Sequence, residues 1–150
     1  MGAIYLDTSV LMALLCPEPE TACVRLWFGR SDAADIVSSP WSRSELFSAL
    51  SVKQRMRQLD QEKVIQARAK GLEILATTRC VDVVTADFDQ AAAWCTDAAS
   101  GLRAPDALHL AIAQRVGCNT LASFDFIMQQ AARRIGIALM DFGVPESSNH

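Results

Sequence analysis

The sequence predicts an α/β domain whose central, mostly parallel sheet of about five strands is covered by helices on both faces. Short apolar runs alternate with longer helical patterns along the chain, and that alternation is the signature of parallel strands joined by helical crossovers. The 150 residues, 51% hydrophobic and 21% charged, have a globular composition and are enough to bury a core. No repeat, low-complexity segment or interdomain linker interrupts the pattern. Residues 1–144 therefore read as one domain and 145–150 as a flexible polar tail.

Each element has a local reason. Ile4-Tyr5-Leu6 is a brief strand, and a helix follows from Val10 to Leu15. Pro17 and Pro19 break that helix, and Thr21 can cap the next, which runs to about Arg30. Asp35 to Ser38 is the second strand, with Ile36-Val37 as its apolar centre. Pro40 precedes a long helix from Trp41 to Arg57, and Asp60 caps another that runs to Thr77. Val81 to Val84 is the third strand. Asp87 to Ala99 is helical and ends at Gly101. Pro105 opens a helix to Val116 that Gly117 terminates. This helix is apolar nearly all round, which indicates burial. Thr120 to Ala122 is the fourth strand, Phe124 to Ile135 a helix, and Ile137 to Met140 the fifth strand.

Fourteen Lys+Arg against 17 Asp+Glu give a net charge of −3. This excludes a polycation that holds nucleic acid by bulk charge, but not a nucleic-acid enzyme with a local site. The five cysteines, at 16, 23, 80, 95 and 118, are odd in number and form no CxxC pair. They argue against a disulfide framework or a zinc site and read as small buried apolar residues in a reducing cytosol. The apolar stretch Ala3 to Cys16 has no Lys or Arg before it and is interrupted by Asp7, unlike a signal peptide. Its uninterrupted part, Val10 to Cys16, is far short of the roughly 20 residues of a membrane span. A cytoplasmic protein with no membrane association is expected.

In open α/β folds, ligands sit beyond the carboxyl ends of the strands. Asp7 directly follows the first strand, Asp125 follows the fourth, Asp106 lies in the first turn of its helix, and Glu45 sits among apolar helical neighbours. Each has a structural explanation as well. Asp7 and Asp125 could cap helices, Asp106 could complement a helix dipole, and Glu45 could be an ordinary surface residue. Together they would converge on one edge of one sheet, where carboxylates raise each other's pKa. A divalent cation relieves that repulsion, and hard oxygen ligands without His or Cys point to Mg²⁺, with Mn²⁺ as the alternative.

Four segments, in order, resemble the PIN-domain ribonucleases, and most closely the VapC-type toxins of toxin–antitoxin pairs. They are Ile4-Tyr5-Leu6-Asp7-Thr8-Ser9-Val10-Leu11, Ser44-Glu45-Leu46, Ala104-Pro105-Asp106-Ala107-Leu108-His109-Leu110-Ala111 and Leu121-Ala122-Ser123-Phe124-Asp125. Pro105 stands where many relatives have a small residue, and Ser123 where Thr is frequent. The resemblance spans about Ile4 to Met140 and implies a PIN-like fold and metal-dependent hydrolysis of RNA phosphodiester bonds. Asp7, Glu45, Asp106 and Asp125 would be the catalytic, metal-binding acids, with Asp7 and Asp106 the firmest ligands. It also implies a homodimer and a cognate antitoxin, a segment of which occupies the acidic cleft. Two alternatives stay open: an RNA-processing nuclease outside any toxin–antitoxin pair, and a non-catalytic PIN-like binding module.

Around these acids, Thr8, Ser9 and Ser123 could orient the carboxylates, although Thr8 and Ser9 could equally cap the first helix. Arg103 is the first candidate for contact with substrate phosphate and Arg43 the second. Lys53, Arg55, Arg57, Arg133 and Arg134 suit the dipoles of their helix ends. His109 reads as a core or supporting residue rather than a catalytic one. Trp27, Trp41 and Trp94 lie on separate helices and read as core or interface residues, not a stacking platform. A haloacid-dehalogenase-like phosphatase would need a second Asp where Ser9 stands, and a response-regulator receiver would need an acidic pair near Asp7 and a Lys beyond Lys70. With four acids assigned to one cleft, 13 acids face 14 bases in the rest of the chain. The net charge then reads as a local site on a nearly neutral body.

Overall fold

A computed structural model describes residues 2–143; the expected tail, 145–150, lies outside them. Five strands form one parallel sheet: β1 (Ile4–Leu6), β2 (Ile36–Ser38), β3 (Arg79–Cys80), β4 (Thr120–Ala122) and β5 (Ala138–Leu139), in the order β3-β2-β1-β4-β5. Seven α-helices connect them: α1 (Thr8–Leu15), α2 (Thr21–Arg30), α3 (Pro40–Arg55), α4 (Gln61–Thr77), α5 (Thr85–Cys95), α6 (Ala104–Arg115) and α7 (Phe126–Arg134).

Alternation along the strands sorts the core into two layers. Tyr5, Val37 and Leu121 face a cluster built with α5, α6 and α7. Leu6, Ile36 and Ala122 face the other way, into a cluster built with α1 to α4. The buried run Ala107–Ala113 explains why α6 is apolar on every side. The apolar residues of α1 are used internally, with Leu11, Met12 and Leu14 buried and Leu15 partly buried. Close approach of α3 to α4 rests on Gly71, where a Cβ would come 2.5 Å from Leu46 Cδ2.

Several boundaries differ from expectation for local reasons. The third strand is Arg79–Cys80 rather than Val81–Val84. Arg79 and Cys80 pair with Val37 and Ser38, Val81 N–H still donates to the Ser38 carbonyl (2.9 Å), and the chain then leaves the sheet. Val84 is instead the residue before α5, its N–H bound by the Asp87 carboxylate at 2.9 Å. Val81 and Val83 pack on the core from outside the ladder. The helix read as 87–99 stops at Cys95, and a separate 3-10 turn at Ala98–Ser100 leads to Gly101, whose φ of 68° closes it. Glu20, not Thr21, precedes α2; the Thr21 hydroxyl accepts from Glu18 N–H and donates to the Cys16 carbonyl. Asp60 caps α4 as expected, accepting from Lys63 N–H at 2.8 Å. All five cysteines are free, but only Cys16 and Cys118 are buried and Cys80 is exposed. Among the described residues, no helix is long and apolar enough to cross a membrane.

Candidate functional site

The strand order changes direction at β1, whose neighbours β2 and β4 belong to the two halves of the chain. The carboxyl ends of β1 and β4 thus form the crevice where this architecture places ligands. Asp7 leaves β1 there, its N–H bound to the Ala122 carbonyl of β4 (3.0 Å). Asp7 occupies the capping position of α1, yet its side chain caps nothing. The carboxylate is 5% exposed, and its Oδ2 accepts from Ser9 Oγ (2.6 Å) and Ser123 Oγ (2.8 Å). Those serines are held in turn: Ser9 Oγ accepts from Phe124 N–H and Ser123 Oγ from Asp125 N–H, both at 3.0 Å. Loop and helix termini on both strands therefore aim at one carboxylate.

Asp125 does cap α7, its Oδ1 accepting from Met128 N–H at 2.8 Å. Asp106 sits in the first turn of α6, where Pro at the start needs no N–H partner. Burial first, then the charges of Asp125, Asp7 and Glu45, push the Asp106 carboxyl up to about 6, with only His109 opposing. That ranking places all four predicted acids in one electrostatic neighbourhood. Glu45, on α3, accepts from the Thr8 hydroxyl at 3.2 Å and from His109 Nε2 through Oε1. An open groove of about 370 Å³ runs beside it, walled by Thr8, Trp41, Ser44 and Pro105. Trp41 Nε1 donates to the Pro105 carbonyl (3.4 Å), joining the helix starts that carry Glu45 and Asp106.

The donors are carboxylate oxygens throughout, a set that suits Mg²⁺ or Mn²⁺. Among the described residues, no three are already gathered as a ligand cluster. Arg103 is exposed at the start of α6, three residues from Asp106, with no ion pair among the described residues. Arg43 instead lines a separate groove with Leu72, Leu75 and Cys80. Lys53 pairs with Glu18 at 3.5 Å.

His109 is buried and supports Glu45, in keeping with its reading as a core or supporting residue, and Tyr5 and Ser39 extend that support with no expectation from the sequence. His109 is 0% exposed and joins Glu45 to Tyr5, whose Oη lies 2.6 Å from His109 Nδ1 and 3.3 Å from Ser39 Oγ. The available signals were a tyrosine inside an aliphatic strand two residues before Asp7 and a histidine one helical turn after Asp106.

This fold, with acids at the carboxyl ends of its strands, has the layout of a nuclease-superfamily α/β domain. The PIN domain family model matches residues 4–134, and the chain belongs to that family, within its VapC-like group. The chain is 33% identical over 147 residues to ribonuclease VapC46 of Mycobacterium tuberculosis, covering 93% of this chain and 98% of that one. In fold it is similar to Mycobacterium tuberculosis VapC20, a sarcin–ricin loop cleaving toxin. The TM-score is 0.69 at 18% identity, covering 86% of this chain and 95% of that one. It is also similar to FitAB bound to the IR36 DNA fragment, with a TM-score of 0.69 at 20% identity, covering 97% and 99%.

Proposed function

We propose that this chain is a metal-dependent endoribonuclease that hydrolyses RNA phosphodiester bonds, and that it is the toxin of a toxin–antitoxin pair. The observation that carries the nuclease reading is that Asp106, half-buried at the start of α6, feels the charges of Asp125, Asp7 and Glu45, which add to its burial in raising its carboxyl to about 6. The RNA and toxin parts are supported by the relatives, one named a ribonuclease and one a toxin.

Asp7 and Asp106 would hold Mg²⁺ or Mn²⁺, with Asp125 and Glu45 completing the site directly or through water, since Mg²⁺ usually retains several waters. When bound, such an ion neutralises phosphate oxygens and makes water a nucleophile near neutral pH. The chain's own groups set the geometry. Ser9 and Ser123 hold Oδ2 of Asp7, which would leave Oδ1 for an ion. Asp125 spends Oδ1 on α7 and keeps Oδ2. Thr8 holds Glu45. Arg103, exposed three residues before Asp106, would meet a substrate phosphate. The partners of this reading are an RNA substrate, a second copy of the chain and an antitoxin whose segment covers the acidic cleft, in the cytoplasm.

Purified protein incubated with structured RNA should cleave it with Mg²⁺ or Mn²⁺ and not in chelator. Folded Asp7→Asn and Asp106→Asn variants should lose more than the roughly 10–100-fold typical of residues that only support a metal ligand. Undiminished metal-dependent cleavage by either variant would refute the assignment. Expression should arrest growth, and co-expression of a small neighbouring gene product should relieve the arrest. An active nuclease that leaves growth unaffected would indicate RNA processing instead.

A further inference from the structure

The nuclease reading leaves unexplained a polar chain through the heart of the molecule. Tyr5 on β1 and His109 on α6 are fully buried in the layer under α5, α6 and α7, among aliphatic side chains. Their rings lie 5.4 Å apart. Ser39 Oγ lies 3.3 Å from Tyr5 Oη, Tyr5 Oη lies 2.6 Å from His109 Nδ1, and His109 Nε2 meets Glu45 Oε1. Polar groups cost free energy in such a core unless they are all bonded, and a Phe–Leu pair would fill the space without that cost. The three elements joined are those that carry Asp7, Asp106 and Glu45.

With His109 neutral and Glu45 ionised, the proton inventory of the chain allows one direction. A phenol carries one proton, which an ordinary tyrosine keeps at neutral pH. Donated to His109 Nδ1, it leaves Nε2 as the protonated ring nitrogen, pointed at a carboxylate that can only accept. Glu45 Oε1 then takes two bonds, from His109 and from Thr8.

We propose that Tyr5 and His109 are positioning residues for Glu45. Tyr5 locks His109 as the Nε2–H tautomer, and His109 together with Thr8 pins Oε1, so that Oε2 faces the groove in one orientation. This rests on the nuclease reading for its catalytic consequence, though not for its geometry. Histidines that orient ligating carboxylates typically change metal affinity or activity 10–100-fold when removed.

The first readout needs no activity. Long-range ¹⁵N–¹H NMR of the wild-type protein in chelator should show His109 as the Nε2–H tautomer; the chain's other histidine, His150, is separated by its loss-free signal in His109→Gln. An Nδ1–H ring, or a ring protonated on both nitrogens, would overturn the proposal. The second readout is kinetic. His109→Leu, which suits an apolar core, should lower kcat 10–100-fold at unchanged KM and weaken Mn²⁺ binding measured by calorimetry. His109→Gln keeps an N–H donor and should recover most of both, and Tyr5→Phe should show a smaller loss in kcat. Equal losses in the Leu and Gln variants, or none in His109→Leu, would also overturn it. If the wild type cleaves no RNA, the nuclease reading fails, and the tautomer still decides whether Tyr5 and His109 orient Glu45.

Discussion

Asp87 and Asp106 are acids at opposite ends of the α6 layer, and their surroundings are opposite. Asp87, in the first turn of α5, is 1% exposed, yet each carboxylate oxygen has a partner. Arg115, in the last turn of α6, donates Nε to Oδ1 (2.7 Å) and Nη2 to Oδ2 (3.0 Å), and Val84 N–H adds a third bond at 2.9 Å. Burial would raise the Asp87 carboxyl, but the Arg115 and Val84 bonds outweigh it and hold it below the usual carboxylate range. Asp106 has burial without such partners, and three other acids for neighbours. A buried acid supplied with donors is a structural clamp. A half-buried acid without donors, facing three other carboxylates, is a site that stores repulsion until something cationic enters. The same residue type thus stabilises one end of the layer and burdens the other.

The same substitution at the two positions should therefore act with opposite sign. Asp87→Asn removes the charge that faces Arg115 and one acceptor of a bidentate pair, and should destabilise the protein by about 2–4 kcal/mol in urea unfolding. The lower end applies if Arg115, whose side chain is 36% exposed, turns to water. No loss would mean that the clamp contributes nothing net.

Asp106→Asn should instead stabilise the protein in chelator at pH 7.5. A rise from 3.8 to about 6 corresponds to a few kcal/mol, and discounting for partial exposure leaves about 1–2 kcal/mol. The pH profile should separate the two acids. Asp106 titrates higher when folded, so its favourable contribution is complete below 3.8 and is lost as pH rises through about 6. Asp87 titrates lower when folded, so its contribution is present above 3.8 and is lost as pH falls through its folded value. Wild-type stability should climb from pH 7 towards pH 4 and fall below it; Asp106→Asn should flatten the first limb and Asp87→Asn the second. A first limb that survives in Asp106→Asn would place the repulsion elsewhere.

This contrast was only half visible in the sequence. Asp7, Asp106 and Asp125 stand out because each interrupts an apolar stretch at a strand end or helix start, and the parallel sheet, though not its strand order, follows from strand–helix alternation. Asp87 enters the sequence reading only as the start of a helix, since nothing local says that Arg115, 28 residues away, closes on it. The role of His109 was hidden for a related reason. A histidine in an apolar helix resembles core filling until the crossover brings Tyr5 and Glu45, 104 and 64 residues distant, to its two ring nitrogens. The third strand was misplaced because Val81 and Val83 pack on the core without entering the ladder, and period alone cannot separate packing from pairing.

Asp125 belongs to both classes and allows the smallest and finest test. One oxygen caps α7 as a structural acid does, while its charge is the leading electrostatic influence on Asp106 after burial. Asp125→Ala should lose the cap, about 1 kcal/mol of stability. Asp125→Asn keeps a good cap and relieves the repulsion, so in chelator at pH 7.5 it should be more stable than Asp125→Ala by about the same 1 kcal/mol and no less stable than the wild type. Both variants remove the charge, so in both the Asp106 carboxyl, followed by ¹³C NMR in chelator, should titrate below about 6. If the two variants unfold alike but shift Asp106 differently, the cap and the charge act through one another, and Asp125 cannot be divided between scaffold and site.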